Sequence, residues 1–143
     1  MKETSINQAH IKSACEPFLK ELGEQFVWQW DEHFQAYLTE FSVDHEQHVF
    51  LTAQKHFPIV WDKKELKYAD PIFVHRAGFF SNLEKNQRLL SKDKSGENEI
   101  MVSWWPWGHG ATISVRLFCA NTQPYAKPAS LLSRLRNIFK SSH

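Results

Sequence analysis

Glycine is scarce in this chain of 143 residues. Only Gly23, Gly78, Gly96, Gly108 and Gly110 occur, and none falls in the spacing of a Walker loop or a dinucleotide fingerprint. Nucleotide-dependent chemistry by those routes is therefore not expected. Cysteine is scarcer still. Cys15 and Cys119 lie far apart, and the opening MKETSINQAH has no apolar stretch of a secretory signal. Two reduced thiols and a cytoplasmic location follow as expectations. No apolar run approaches the roughly 18–20 residues that span a bilayer. No Gly-x-Ser-x-Gly elbow is present. Acidic residues stop at Glu99: all sixteen precede Ile100, whereas Arg116, Lys127, Arg134, Arg136 and Lys140 follow it. Such asymmetry marks either a docking surface for an anionic partner or a basic segment that packs on the chain's own acidic part. The second needs no partner and is the expected case.

Aromatic residues are abundant: eleven Phe, six Trp and three Tyr. Three of the six Trp fall in residues 99–120, the stretch around which the rest is organised. Ile100, Val102 and Trp104 alternate with Met101, Ser103 and Trp105. After a break, Ile113, Val115, Leu117 and Cys119 alternate with Thr112, Ser114, Arg116 and Phe118. Period-two alternation is a strand signature. Pro106-Trp107-Gly108-His109-Gly110 lacks a ladder donor at the proline and permits positive φ at the glycines, so the two arms form a hairpin.

Residues 5–22 read as helical. Ser5 is the cap, Ile6, Ala9, Ala14, Phe18 and Leu22 form the inner face, Pro17 is a kink or a restart, and Gly23 is the C-terminal stop. Phe26, Trp28 and Trp30 alternate as one face of a strand. Residues 34–42 fit either element, with Tyr37, Thr39 and Phe41 favouring a strand. Residues 44–54 read either as a helix opened by Asp44 or as a hairpin whose second arm starts at His48. The strand formers from His48 to Thr52 favour the hairpin. Residues 57–61 are extended, 62–70 a loop or helical turn, 72–80 a strand interrupted by Gly78, and 82–91 a short helix with Leu83 and Leu90 inward. Residues 91–99 are a polar loop.

Residues 121–128, with two prolines, read as a linker to an amphipathic helix at 130–140. There Leu131, Leu132, Leu135, Ile138 and Phe139 make an apolar stripe, and Arg134, Arg136 and Lys140 lie outside it. Isolated helices this short are marginal in water, so it should fold on the protein's own surface or in a groove of a second subunit, in preference to a membrane. The expected fold is one α+β domain over 1–143: an antiparallel sheet of about four to six strands with N-terminal and C-terminal helices packed against it.

His45, His48 and His56 cluster beside Asp44 and Glu46, but His45-Glu46-Gln47-His48 is one residue short of the metalloprotease spacing, and a solvated turn is the expected reading. Cys15 adjoins Glu16, which would raise its thiol pKa, and Cys119 falls on the hairpin's apolar row. No catalytic residue, metal or cofactor is assigned. Trp104 and Trp105 point to opposite faces, so both cannot enter a core built on one face. Exposed indoles anchor partners, because they combine large area with few torsions. Trp104, Trp105, Trp107 and His109 are accordingly the expected contact residues, with burial of Trp105 and Trp107 in a second small cluster as the competing reading. The function expected is a non-catalytic binding or interaction protein that uses the Trp-rich hairpin end on a protein partner or a small apolar ligand, with homodimerisation as one form of partnership. The alternatives are an aromatic-lined pocket in which a His or carboxylate acts, and a chain tethered by Arg134, Arg136 and Lys140 to an anionic membrane or nucleic acid.

Overall fold

The structure, a computed structural model, describes residues 2–97 and 99–126. It is an α+β fold with a six-stranded antiparallel sheet. Two helices, α1 (Lys2–Ala14) and α2 (Glu16–Leu22), lead into β1 (Gln29–Asp31) and β2 (Ala36–Ser42). A 3₁₀ turn (Val43–His45) and α3 (Glu46–His56) precede β3 (Ile59–Trp61). Two short helices, α4 (Lys63–Lys67) and α5 (Pro71–Ala77), and a second 3₁₀ turn (Gly78–Ser81) precede β4 (Arg88–Ser91). The hairpin β5 (Ile100–Pro106) and β6 (Thr112–Cys119) ends the regular structure among the described residues. The strand order β1-β2-β6-β5-β4-β3 places the hairpin at the centre.

Its alternation matches the sequence pattern. Ile100, Val102, Trp104, Ile113, Val115 and Leu117 share one buried face with Tyr37, Phe41 and Leu90. That face is covered by α1, α2 and α3 through Ile11, Cys15, Phe18, Leu22, Val49 and Ala53. The opposite face is buried too. Met101, Phe118, Leu89 and Trp61 meet Leu66, Phe73, Ala77 and Phe80 from α4, α5 and the second 3₁₀ turn. Helical cover therefore lies on both sides of the sheet. The basic segment 130–140, with Arg134, Arg136 and Lys140, lies outside the described residues, as does the end of the 121–128 linker. Residues 121–126 form no helix or strand but are tied to α5: Asn121 N donates to Arg76 O (2.7 Å), and His75 Nε2 contacts Gln123 O at 2.7 Å.

Several expectations are corrected. The inner stripe of the first two helices is Ile11, Cys15, Phe18 and Leu22, whereas Ile6 is exposed, as are Ala9 and Ala14. The chain breaks between Ala14 and Glu16, where Pro17 takes a first-turn position of α2, yet the buried stripe keeps the 3–4 spacing of one helix face across the break. Residues 46–56 are a helix, not the arm of a hairpin. Val49, Thr52 and Ala53 are its buried residues, and burial at that 3–4 spacing outweighs the strand propensity of His48–Thr52. The turn before it is capped by Ser42, whose Oγ accepts from Asp44 N at 3.2 Å.

Residues 71–77 are helical, not a strand. Asp70 Oδ1 accepts from Ile72 N at 2.9 Å, Pro71 occupies the first turn, and Phe73 and Ala77 point inward one turn apart. Gly78 then turns the chain at φ +60° and ψ −133°, a region that only glycine enters without strain. Residues 82–91 are not a helix but a turn leading to β4. Leu83 and Leu90 are both buried, yet in the clusters on opposite sides of the sheet, which a single helix face could not achieve. The strand over 26–30 is shorter than expected, but Phe26, Trp28 and Trp30 do pack on one cluster.

Cys15 and Cys119 are both free thiols. Burial, not Glu16, pushes the Cys15 thiol up to about 11, and the cation Lys92 offsets only part of this. Among the described residues no helix is long and apolar enough to cross a membrane. Val115 is fully buried at the centre of the first face. Val115→Ala should cost about 1–3 kcal/mol, read as a lower denaturant midpoint with unchanged slope. An unchanged midpoint would contradict its place in the core.

Candidate ligand cleft beside the tryptophan hairpin

The hairpin tip is a rigid piece of backbone. Trp107 N donates to Thr112 O at 2.8 Å, Gly110 N to Trp107 O at 3.0 Å, and Ala111 N to His109 Nδ1 at 2.9 Å. Ala111 O in turn accepts from Val43 N at 3.0 Å, which ties the tip to the turn after β2. The Trp107 ring is 44% exposed, yet it is held in place. Its Nε1 donates to Ser114 Oγ at 2.8 Å, and the Ser114 hydroxyl donates to Glu40 Oε2 at 3.0 Å. Glu40 faces Ser114 because β2 pairs with β6 in that register.

One layer deeper on the same face lies Arg116, nine-tenths buried. Its Nε donates to Asp31 Oδ2 at 2.9 Å. The guanidinium carbon sits 4.6 Å from the ring centres of both Phe34 and Trp105, so two mutually perpendicular rings lie against the cation. Asp31 also accepts from Phe34 N through Oδ1 at 3.2 Å, so one carboxylate fixes both the cation and the turn that carries one of its covers. Phe79 lies 5.2 Å from Phe34, and Phe80 lies 5.4 Å from Trp105, completing an aromatic cap. Beyond this cap the face opens into a cleft of about 440 Å³ lined by Glu40, Gln87, Trp105, Trp107, His109 and Arg116, among others.

The structure thus brings Trp105, Trp107 and His109 to one cleft. Trp104 lies on the other side of the sheet, 3% exposed, edge-on to Phe50 at 5.0 Å and near Phe41 at 5.9 Å. It reaches only the floor of a second cleft of about 570 Å³, shared with Trp107, Phe50, Glu46, Lys85 and Arg88. Trp105 is half-buried in the second cluster. Among the described residues, the rings against it come from Phe34 and from Phe79 and Phe80 of the turn after α5. The residues that the sequence did not single out are Glu40, Gln87, Ser114 and Arg116. The available signal was an arginine on the row opposite the apolar one that also carries Phe118, in a strand that lies at the centre of the sheet.

His48 stacks on Phe26 at 6.2 Å, His45 lies edge-on to the same ring, and His56 contacts Phe18 and Glu21, so these histidines finish the rim of the first core. Among the described residues no three His, Cys, Asp or Glu side chains are grouped to hold a metal. A larger groove of about 640 Å³ runs between the first two helices and residues 23–28, but its charged pair Glu16–Lys20 is mutually satisfied at 2.8 Å.

A carboxyl pair occupies the loop after β4. Burial, together with a hydrogen bond to Asp93, pushes the Glu99 carboxyl up to about 7. That hydrogen bond, with others from Ser95 and the Gly96 amide, holds Asp93 well below the usual carboxylate range. Gly96 closes this loop at φ +68°, where a Cβ would stand 2.7 Å from Met101 Cε and 3.0 Å from Phe73 Cδ1. Comparison with known protein families, with curated proteins and with solved structures finds no match to this chain.

The carboxyl pair sets a pH dependence. Glu99 has a folded pKa above its unfolded one, so its contribution is full below the ordinary carboxylate pKa and is lost as pH rises through about 7. Asp93 acts in the opposite sense, but its loss lies in strong acid. The melting temperature should therefore fall as pH rises from the ordinary carboxylate pKa to about 7, and level off above it. Glu99→Gln keeps a donor toward Asp93 without a titrating proton, and it should flatten that fall. Equal slopes in the two proteins would show that Glu99 does not set the pH dependence.

Proposed function

We propose that this chain is a non-catalytic binding protein whose tryptophan hairpin end holds a protein partner or a small ligand with an apolar body. The observation that carries the reading is the state of Trp107. It is a large apolar side chain at a sheet end, substantially exposed, yet fixed by an indole–hydroxyl–carboxylate chain through Ser114 to Glu40. A preordered exposed indole loses little freedom when it is covered, so its area converts efficiently into affinity. The clefts of about 440 and 570 Å³ on its two sides supply concave surface for what it contacts. The polar groups around it are engaged with one another and not aligned as a nucleophile and base. His109 accepts a backbone hydrogen bond within its own turn, and Ser114 lies between an indole and a carboxylate.

Trp107→Ala should lower stability by no more than about 1–2 kcal/mol, because it removes one hydrogen bond and a partly exposed ring. It should also weaken retention of whatever the immobilised protein enriches from a cell extract by about tenfold or more, the scale of an interface anchor. A melting transition collapsed by the substitution would make Trp107 a core residue. Unchanged retention with unchanged stability would remove the hairpin end as the binding site.

A further inference from the structure

Three buried polar atoms beneath the aromatic cap have no hydrogen-bond partner among the described residues: Ser103 Oγ, Trp105 Nε1 and Arg116 Nη1. They are not scattered. Ser103 faces Arg116 across the β5–β6 ladder, and Trp105 is the next residue on the same face of β5. Each unpaired group carries its desolvation cost without return, and three at neighbouring positions concentrate that cost in one place. We propose that these groups form an inner tier of the hairpin cleft that accepts the carbonyl oxygen of a neutral ligand with a flat aromatic body, such as an aromatic amide. The inference rests on the reading of the hairpin end as a binding site.

The chemistry of the tier selects the ligand class. The indole N–H and the guanidinium N–H can only donate, and the serine hydroxyl can donate as well, so the missing group is an acceptor. Phe34 and Trp105 both lie against the guanidinium, and its Nε is taken by Asp31. The Nη1 position on its edge is what remains for a ligand. Asp31 already balances the arginine, and Glu40 stands on the same face, so a further anion would meet net negative charge. A neutral carbonyl fits that field better than a carboxylate or a phosphate.

The walls are rings: Phe34, Phe79, Phe80 and Trp105 lie within 6.2 Å of one another, centre to centre. Entry requires the cap to part, and Phe79 is the member placed to do it. It is 59% exposed and follows Gly78, whose neighbourhood is open. A second cleft of about 440 Å³, lined by Phe34, Gly78, Phe79 and Phe118 among others, gives it space on the far side.

The test uses the whole protein, 15N-labelled, with benzamide as the probe and benzoate as its charged counterpart. The indole N–H signals of Trp105 and Trp107 are followed separately, assigned with Trp105→Phe and Trp107→Phe. Benzamide should shift the Trp105 signal saturably with a Kd on the order of millimolar, the range open to so small a ligand. Ser103→Ala should raise that Kd roughly three- to tenfold, the loss of one hydrogen bond. In Trp105→Phe, which keeps an aromatic face, though a smaller one, and deletes the donor, benzamide affinity read from other cleft signals should weaken similarly. Benzoate should bind more weakly than benzamide. A shift confined to Trp107 would overturn the inner tier while leaving the hairpin reading intact. Tighter binding of benzoate would overturn the neutral class. A Trp105 N–H that shows magnetisation transfer to a long-lived water and no response to benzamide would make the tier a buried-water site and end the proposal.

Discussion

The two central strands bury side chains on both of their faces, and the rest of the fold answers that demand. Val102, Trp104, Ile113, Val115 and Leu117 need cover on one side, and Met101, Ser103, Arg116 and Phe118 need it on the other. The connections supply it. The chain leaves β2 on one flank of the hairpin and reaches β3 at the far edge, carrying α3 across the first face to join α1 and α2. It then returns through α4 and α5 over the second face before adding β4 beside β5. The two faces are not equivalent. The first presents only apolar side chains from β5 and β6. The second also presents Ser103, Ser114 and Arg116, so its cover must supply hydrogen-bond partners as well as apolar area.

Asp31 is the main partner provided. It ends β1, accepts the Phe34 amide with one oxygen and the Arg116 guanidinium with the other, and is itself largely buried. A buried ion pair is not strongly stabilising in itself, but a buried cation left without its partner is costly. The edge strand β1, three residues long, is therefore tied to the centre of the sheet by a side-chain contact as well as by its ladder with β2. The same contact sets where Phe34 sits, and through Phe34 the boundary between the sealed part of the second face and the open cleft.

The hairpin was readable because its alternation and its Pro/Gly-rich tip are local signals. The same is true of the edge strand after Pro58 and the break at Pro17. Where reading failed, long-range packing overruled local preference. Residues 48–52 contain strand formers but fold as a helix, since Val49 and Ala53 meet the first face together. Asp70-Pro71 was taken as the entry to a strand, although a carboxylate followed by proline is equally a helix start. Leu83 and Leu90 were rightly expected inside, but only the sheet's two-sided burial could place them on opposite sides. In the cleft, Trp105, Trp107 and His109 were legible from turn chemistry. Glu40 and Asp31 were not, because they reach Ser114 and Arg116 across 74 and 85 residues of chain, through a strand order that no local pattern encodes.

Two adjacent indoles and a third beyond the proline show how finely this placement divides structure from exposure. Trp104 points into the first core, where Phe41 and Phe50 pack its ring, and its loss would leave a cavity in the sheet. Trp105 points the other way and encloses a cation. Trp107, past the end of the alternation, is released from both layers, so neither core needs it. Its orientation comes instead from a serine hydroxyl that accepts a hydrogen bond from the indole N–H and donates one to Glu40. Each link depends on the one before: β2 must pair with β6 in its observed register for Glu40 to face Ser114, and Ser114 must be held before it can hold the ring. The exposed ring is thus ordered by the sheet without contributing to its core.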